Sequence, residues 1–196
     1  MADTYVVAVE GLSNLNAIDN ASQQILKAAR LAVNATVRQA QTRSARSMEQ
    51  QVKFPRGYLT GSGGRLVISK FAKDGDLEGS VTGRDRPTSL ARFVVGGARA
   101  PGQGAPRGGG LTVEVKPGLA KRMPGAFIIK LKNNNLGLAL RSKTPPSMGA
   151  KKIDNNLYLL YGPSIDQVFN KTREQVAGGL EEYLDREFNR LLELKL

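Results

Sequence analysis

The residues best suited to chemistry lie in one segment, TGRDRPTSLARF (82–93). It contains one carboxylate, a serine hydroxyl and three guanidinium groups: Asp85, Ser89, Arg84, Arg86 and Arg92. Acid–base or nucleophilic catalysis needs a second carboxylate, or a base beside the hydroxyl. Asp85 is expected to stay ionised between its arginines, and the pattern gives Ser89 no base. The favoured interpretation is an ion-pair role within the fold or between subunits.

The residue types that the chain lacks narrow its chemistry further. It has 196 residues and contains no histidine and no cysteine. Disulfides, thiolate metal sites and thiol nucleophiles are therefore excluded, and so are the commonest general base and metal ligand. We expect a protein that is not an enzyme, with no catalytic residue, no metal site and no cofactor.

A glycine-rich stretch, GSGGRL (61–66), invites comparison with a phosphate-binding loop. It lacks the Gly-Lys-Ser/Thr ending of such loops, and the pattern after it predicts a strand instead of a helix. Without a helix N-terminus there is no dipole to hold a phosphate, so the stretch is interpreted as a turn.

Charge is the strongest feature of the composition. The net charge is +12, yet the residues from Ile165 onward carry five Lys and Arg against seven Asp and Glu. A basic body with an acidic end favours binding to nucleic acid or to a surface of opposite sign. It also favours docking of one end of the molecule against the other end of a neighbour.

Four arginines of the first predicted helix are the candidates for contact with DNA: Arg30, Arg38, Arg43 and Arg46. Binding to phosphates needs only positive charge density, so such a contact would be independent of base sequence. No aromatic residues alternate with these charges and no known nucleic-acid module is present. A solvated or subunit-facing row is the other interpretation.

The order of predicted elements indicates a single α+β domain over residues 1–196. A long helix (17–51) follows an N-terminal arm (1–15). Strands are predicted at 65–71, 77–83, 89–95 and 111–116, in a hairpin at 124–141, and at 157–164. Two loops are predicted: a flexible Gly-rich one (96–110) and another at 144–156. A long C-terminal helix, capped by Ser164 with Gln167, ends the pattern. We expect an antiparallel β-sheet flanked by the two long helices.

The hairpin PGAFIIKLKNNNLGLALR (124–141) has the alternation of a half-buried strand pair. Phe127, Ile129 and Leu131 are predicted to face the core, together with Leu136, Leu138 and Leu140 on the return strand. Asn133–Asn135 supplies the turn, and Arg141 points outward. No basic stretch precedes an apolar run at the N-terminus and no window is apolar enough to span a bilayer, so neither a signal peptide nor a membrane partner is expected.

RPTSLARF, a Gly-rich stretch, VEVKPG, PGAFIIKLKNNNLGLALR and LYGPS, in this order, resemble the phage minor tail protein Z family. The resemblance implies a virion structural protein made in the bacterial host cytoplasm and located at the head-proximal end of the tail, in tail completion or the neck. It implies a homo-oligomer, with a hexameric ring matching the tail, and other tail and head–tail connector proteins as partners.

Within such a ring, Arg86, Arg92 and Arg141 are the candidate interface residues. A basic lumen would allow sequence-independent contact with genomic DNA. The alternative function is that of a basic nucleic-acid-binding protein.

Overall fold

The structure, a computed structural model, describes residues 5–7, 23–104, 109–147 and 149–194, with side chains from residue 23 onward. In these ranges the α-helices are α1 (Gln23–Gln51), α2 (Ile165–Ala177) and α3 (Leu180–Glu193). The strands are β1 (Tyr5–Val7), β2 (Leu66–Lys70), β3 (Gly79–Gly83), β4 (Pro87–Ser89), β5 (Leu111–Lys116), β6 (Leu119–Met123), β7 (Ala126–Lys130), β8 (Leu136–Arg141), β9 (Ala150–Asp154) and β10 (Leu157–Ser164). The predicted α+β class is confirmed. The predicted start of the long helix and most of the N-terminal arm lie outside the described residues.

Helix α1 buries the alanine-rich face that its periodicity predicts. The buried set is Ala28, Ala29, Ala32, Val33, Thr36, Val37, Ala40, Ser44, Ala45 and Met48. Small side chains let another helix approach closely, and Leu191 of α3 packs on Ala28 and Ala32. Ile25, predicted to share this face, is 41% exposed.

The opposite row of α1, which includes Arg30 and Arg38, does not stand free in solvent. Asn34 exchanges two hydrogen bonds with the backbone of Ala72, with lengths of 2.8 and 3.1 Å. Two turns further along, the amide of Gln41 donates to the carbonyl of Leu66 over 2.8 Å. This row therefore fastens the β2–β3 hairpin to the helix, a role that the sequence pattern did not indicate.

The first sheet has the antiparallel order β1-β3-β2. Its central strand comes so close to α1 that a Cβ on Gly79 would lie 2.3 Å from Cγ2 of Val37. Only glycine fits this contact without moving the helix.

The second sheet has the order β4-β10-β8-β7, and β9 pairs with β10. Residues Leu157 to Leu160 of β10 pair with β8 and also with β9, whereas its later residues pair with β4. The predicted capping box then starts α2: Ser164 Oγ accepts from the Gln167 backbone N–H over 3.0 Å, and Gln167 Oε1 accepts from the Ser164 N–H over 3.1 Å.

The β7–β8 hairpin forms as predicted, but the core-facing side of β7 was predicted wrongly. Ala126 and Ile128 are fully buried, whereas Phe127 and Ile129 are half-buried on the other face. Ile128 lies opposite Leu138 and Phe127 opposite Ala139. Because β7 carries apolar residues on both faces, alternation alone does not select its inner side.

Four other local predictions differ from the structure. Residues 90–93 form a 3-10 helix instead of a strand, since the three-residue repeat of that helix places Leu90 and Phe93 on one buried side. The predicted loop at 144–156 contains β9, and the exposed strand β6 was not predicted. The C-terminal helix is split, because Gly179 adopts a φ of +78° between α2 and α3.

The Gly-rich segment 96–110 was predicted to be a flexible loop. Residues 105–108 lie outside the described part. Of the others, Gly102 donates its N–H to the carbonyl of Ile128 over 2.8 Å, and the Ile128 N–H donates to Gln103 over 2.9 Å. The described part of the loop thus closes the outer edge of β7.

Two neighbouring isoleucines test which face of β7 is buried. Replacing the fully buried Ile128 by alanine should lower the free energy of unfolding by about 3 kcal/mol, from lost burial and the cavity left behind. Ile129→Ala is the matched control on the half-buried face, and its loss should be less than half as large. Urea unfolding followed by circular dichroism measures both. An equal or larger loss at Ile129 would reverse the assignment of faces.

The ion pair between Lys53, two residues after α1, and Glu114 of β5 should make the stability of the fold depend on pH in the acid range. The ammonium of Lys53 and then the N–H of Gly118 donate to the Glu114 carboxylate and lower its pKa below the usual 4.5. The stabilisation is therefore present above pH 4.5 and is lost as the pH falls through the lower, folded-state pKa. Wild type should unfold at a higher urea concentration than Glu114→Gln at pH 7, and this difference should disappear in strong acid. A difference that persists there would contradict the ion pair.

Candidate functional site

A groove with a volume of 1260 Å³ lies where the first sheet, the 3-10 helix and the second sheet meet. Its walls come from the segments after α1, after β3 and after β4, from the β7–β8 turn, and from β9 and β10. Five cations line it: Arg65, Arg84, Arg86, Arg92 and Lys151. We call it the arginine groove.

Two of these cations lie over the ring of Tyr58. The guanidinium carbon of Arg65 lies 4.1 Å from the centre of the Tyr58 ring, and that of Arg92 lies 4.9 Å from it. Tyr58 is 5% exposed and its ring stacks on Phe54, with 5.7 Å between centroids. Cation–π attraction to a fixed ring holds the two guanidinium groups at defined positions.

Backbone hydrogen bonds connect the groove floor, which we define as Arg65 and Arg84, to the rest of the fold. The N–H of Arg65 donates to Leu59, and the N–H of Arg84 donates to the carbonyl of Arg65, each over 2.8 Å. The Asp166 N–H, in the first turn of α2, donates to the carbonyl of Arg84 over 3.2 Å. The floor is therefore part of the rigid fold.

Arg65 is also held by its side chain but keeps donor capacity. Its Nη1 donates to the carbonyls of Tyr58, at 3.5 Å, and of Gly63, at 3.3 Å. Its Nε is buried and has no hydrogen-bond partner among the described residues, which costs free energy. The guanidinium group as a whole lines the groove and carries no ion pair in the described fold, so it suits an anion.

Among the described residues, no carboxylate lines the groove. Ion pairs in the described part of the chain join Arg30 to Asp74, Lys53 to Glu114, Lys70 to Asp76 and Glu78, and Arg190 to Glu187. None includes a groove cation. The groove therefore concentrates positive charge that the described fold leaves unneutralised, which suits carboxylates or phosphates.

The segment 82–93 does not assemble a catalytic pair. Asp85 is exposed, does not line the groove, and forms no ion pair with another described residue. An ion pair of Asp85 between subunits stays a prediction. The hydroxyl of Ser89 donates to the carbonyl of Leu136 over 3.5 Å, so its neighbour is a backbone acceptor. Among the described residues, no three His, Cys, Asp or Glu side chains form a group able to hold a metal ion.

The structure separates the three candidate interface arginines. Arg86 and Arg92 both line the groove, where their side chains are exposed. Arg141 ends β8, whose first residue, Leu136, lines the groove. Five strand residues at about 3.4 Å each place Arg141 about 17 Å further along. It is exposed there, as predicted.

The four helix arginines have different surroundings. Arg30 pairs with Asp74 at 3.3 Å, and Arg38 lies 5.0 Å from the centre of the Phe71 ring. Arg43 is half-buried beside Gly179, and Arg46 is exposed. They do not form one continuous free row.

Sequence reasoning missed Tyr58, Arg65 and Lys151 as members of the site. Tyr58 and Arg65 lie in the segments KFPRGYLT and GSGGRL, which were interpreted as a helix break and a turn. Lys151 lies in a segment predicted to be a loop. The sequence does show Arg65 beside a glycine turn and close to a tyrosine. However, the contact of Tyr58 and Arg65 with residues 84–92 depends on strand pairing, which the sequence pattern does not reveal.

Comparison with protein-family models, curated proteins and solved structures finds no match to this chain. Among the described helices, none is both long and apolar enough to cross a membrane.

The Tyr58 ring should matter for stability, whereas its hydroxyl should not. Tyr58→Leu removes two cation–π contacts and one aromatic stack, so the free energy of unfolding should fall by about 2 kcal/mol. Tyr58→Phe keeps the ring and should unfold at nearly the wild-type urea concentration. A Tyr58→Leu variant as stable as wild type would show that the ring does not hold the arginines.

Proposed function

We propose that this chain is a virion structural protein of a bacteriophage tail, located at the head-proximal end and acting in tail completion or the neck. It would work by self-assembly into a ring and by contacts with other tail and head–tail connector proteins. The observation that carries the proposal is the arginine groove, a surface whose unneutralised cations suit an anionic partner. The resemblance of five ordered sequence segments to the minor tail protein Z family supplies the setting.

The described surface offers further places for subunit contact. Among the described strands, β6 pairs only with β5 and β9 only with β10, so one edge of each has free N–H and C=O groups. Leu119 on β6 is 66% exposed. Lys151 and Lys152 on β9 discourage unlimited strand addition, as lysines do on edge strands. Edges of this kind suit a subunit that meets defined neighbours.

The proposed ring assigns roles to the predicted arginines. Arg86 and Arg92 would act in the groove at a subunit seam, and Arg141 would serve a separate contact about 17 Å along β8. DNA passing through the ring would meet exposed cations such as Arg46 without base recognition. Arg30 is the least suited to this role, because Asp74 already neutralises it.

The alternative is a basic protein whose purpose is nucleic-acid binding. The same groove favours it, since guanidinium groups also bind phosphates. However, Tyr58, the aromatic residue at the centre of the cations, is buried beneath two of them and stacked on Phe54. Its ring is therefore not available for stacking with a base. Proteins that bind single strands normally present exposed aromatic rings for this purpose.

The proposal can be tested on the whole chain and on virions. The purified protein should form closed rings in negative-stain electron microscopy and one discrete oligomer in native mass spectrometry. Gold-labelled antibody should mark the head–tail junction of particles that contain it.

Two results would contradict this function. One is a chain that stays monomeric at every concentration and is absent from particles. The other favours the alternative: a monomer that binds duplex DNA with a binding constant falling steeply as salt is raised.

A further inference from the structure

The end of the chain carries a second surface that complements the arginine groove. At the start of α3, the exposed side chains of Glu181, Glu182 and Asp185 form what we call the acidic corner. The ion pair found on this helix in the described chain joins Glu187 to Arg190, so the corner carboxylates remain unpaired. One molecule therefore presents unpaired cations in one place and unpaired carboxylates in another.

The corner cannot fill the groove of its own chain. Helix α2 begins beside the groove, where Gln167 forms part of the wall. Its 13 residues then extend about 20 Å away before the turn at Gly178 and Gly179. Val176 and Leu180, which flank this turn, are 7% and 5% exposed. Because both are packed into the core, the corner stays at that distance.

The packing of α3 gives a second reason. Leu191, near its end, lies on Ala28 and Ala32 of α1. The helix is thus fixed along its length, and swinging it towards the groove would expose this cluster to water. Contact between corner and groove must join two molecules.

The groove suits carboxylates that a protein holds in place. Two of its guanidinium groups are fixed over Tyr58, and planar guanidinium groups bind carboxylates with two parallel hydrogen bonds. The amide-bearing turn Asn133–Asn135 adds donors at its rim. A helix end that presents three neighbouring carboxylates matches this arrangement.

We propose that the arginine groove of one copy receives the acidic corner of a second copy. The two surfaces differ and lie apart on each chain, so the contact is heterologous: every subunit gives a corner and receives one, and the series closes as a ring. This assignment deepens the function proposed above, on which it rests, by naming the two surfaces that meet.

Charge reversal in full-length protein tests the contact. The groove-reversed variant is Arg86→Glu with Lys151→Glu, two exposed side chains with no ion pair in the described fold. The corner-reversed variant is Glu181→Lys with Glu182→Lys. In analytical ultracentrifugation, each alone should associate about 100-fold or more weakly than wild type, because like charges then face each other.

A mixture of the two variants gives the decisive result. Each reversed groove then meets a reversed corner, and each native groove meets a native corner. Association should return, and only rings with an even number of subunits, in which the two variants alternate, satisfy every contact. Native mass spectrometry of one isotopically labelled variant with the other unlabelled should show equal numbers of each.

The matched control reverses two exposed lysines elsewhere, Lys27→Glu on α1 with Lys171→Glu on α2. It changes the net charge as much as the groove-reversed variant and should assemble like wild type. A milder pair, Arg86→Gln with Lys151→Gln, should give an intermediate loss, which separates a charge effect from misfolding.

Rings that persist in both reversed variants would overturn this inference and leave the proposed function standing. So would a mixture that fails to reassociate. If the groove-reversed variant kept its oligomer but lost binding to a duplex DNA fragment, the groove would be a phosphate site and the inference would fall. Wild-type protein that stays monomeric would overturn both the inference and the proposed function.

Discussion

Close packing against the alanine-rich face of α1 is the constraint on which the rest of the structure depends. Helix α3 lies on Ala28 and Ala32 through Leu191, and β3 approaches Val37 so closely that residue 79 must be glycine. Such distances are possible only where side chains are small. On its other side, α1 uses Asn34 and Gln41 to hold the β2–β3 hairpin by hydrogen bonds. The helix thereby fixes both the first sheet and the C-terminal helices.

This arrangement is what gives the molecule two separated charged surfaces. The strand β3 leads through Arg84 to the groove floor, and the first turn of α2 donates a hydrogen bond to that same residue. From there α2 carries the chain away to the turn before α3. The groove and the acidic corner therefore lie at opposite ends of helix α2, which is held in the core. Charge that is concentrated and unneutralised at both ends is the basis of the contact between copies that we propose.

Much of the architecture could be predicted because local pattern and burial agree. The capping box at Ser164 and the β7–β8 hairpin form as the sequence indicates. Prediction was wrong where the pattern is ambiguous or the stabilising contact is distant. Strand β7 is apolar on both faces, so the choice of Ile128 over Phe127 depends on which face of the second sheet packs into the core. Strand β9 is polar, and only its backbone pairing with β10 makes it a strand.

The candidate site, like the fold, has features that could be predicted from the sequence and features that could not. Residue types and their order already show that the chain lacks histidine and cysteine chemistry, that its charge is unevenly distributed, and that Arg86 and Arg92 lie close together along it. The packing of the folded chain brings Tyr58, Arg65 and Lys151 to the same groove and leaves Arg141 outside it. This division arises because a residue's charge is a property of its own side chain. The convergence of charges from four segments, in contrast, requires the pairing of strands and the packing of helices that are distant in sequence.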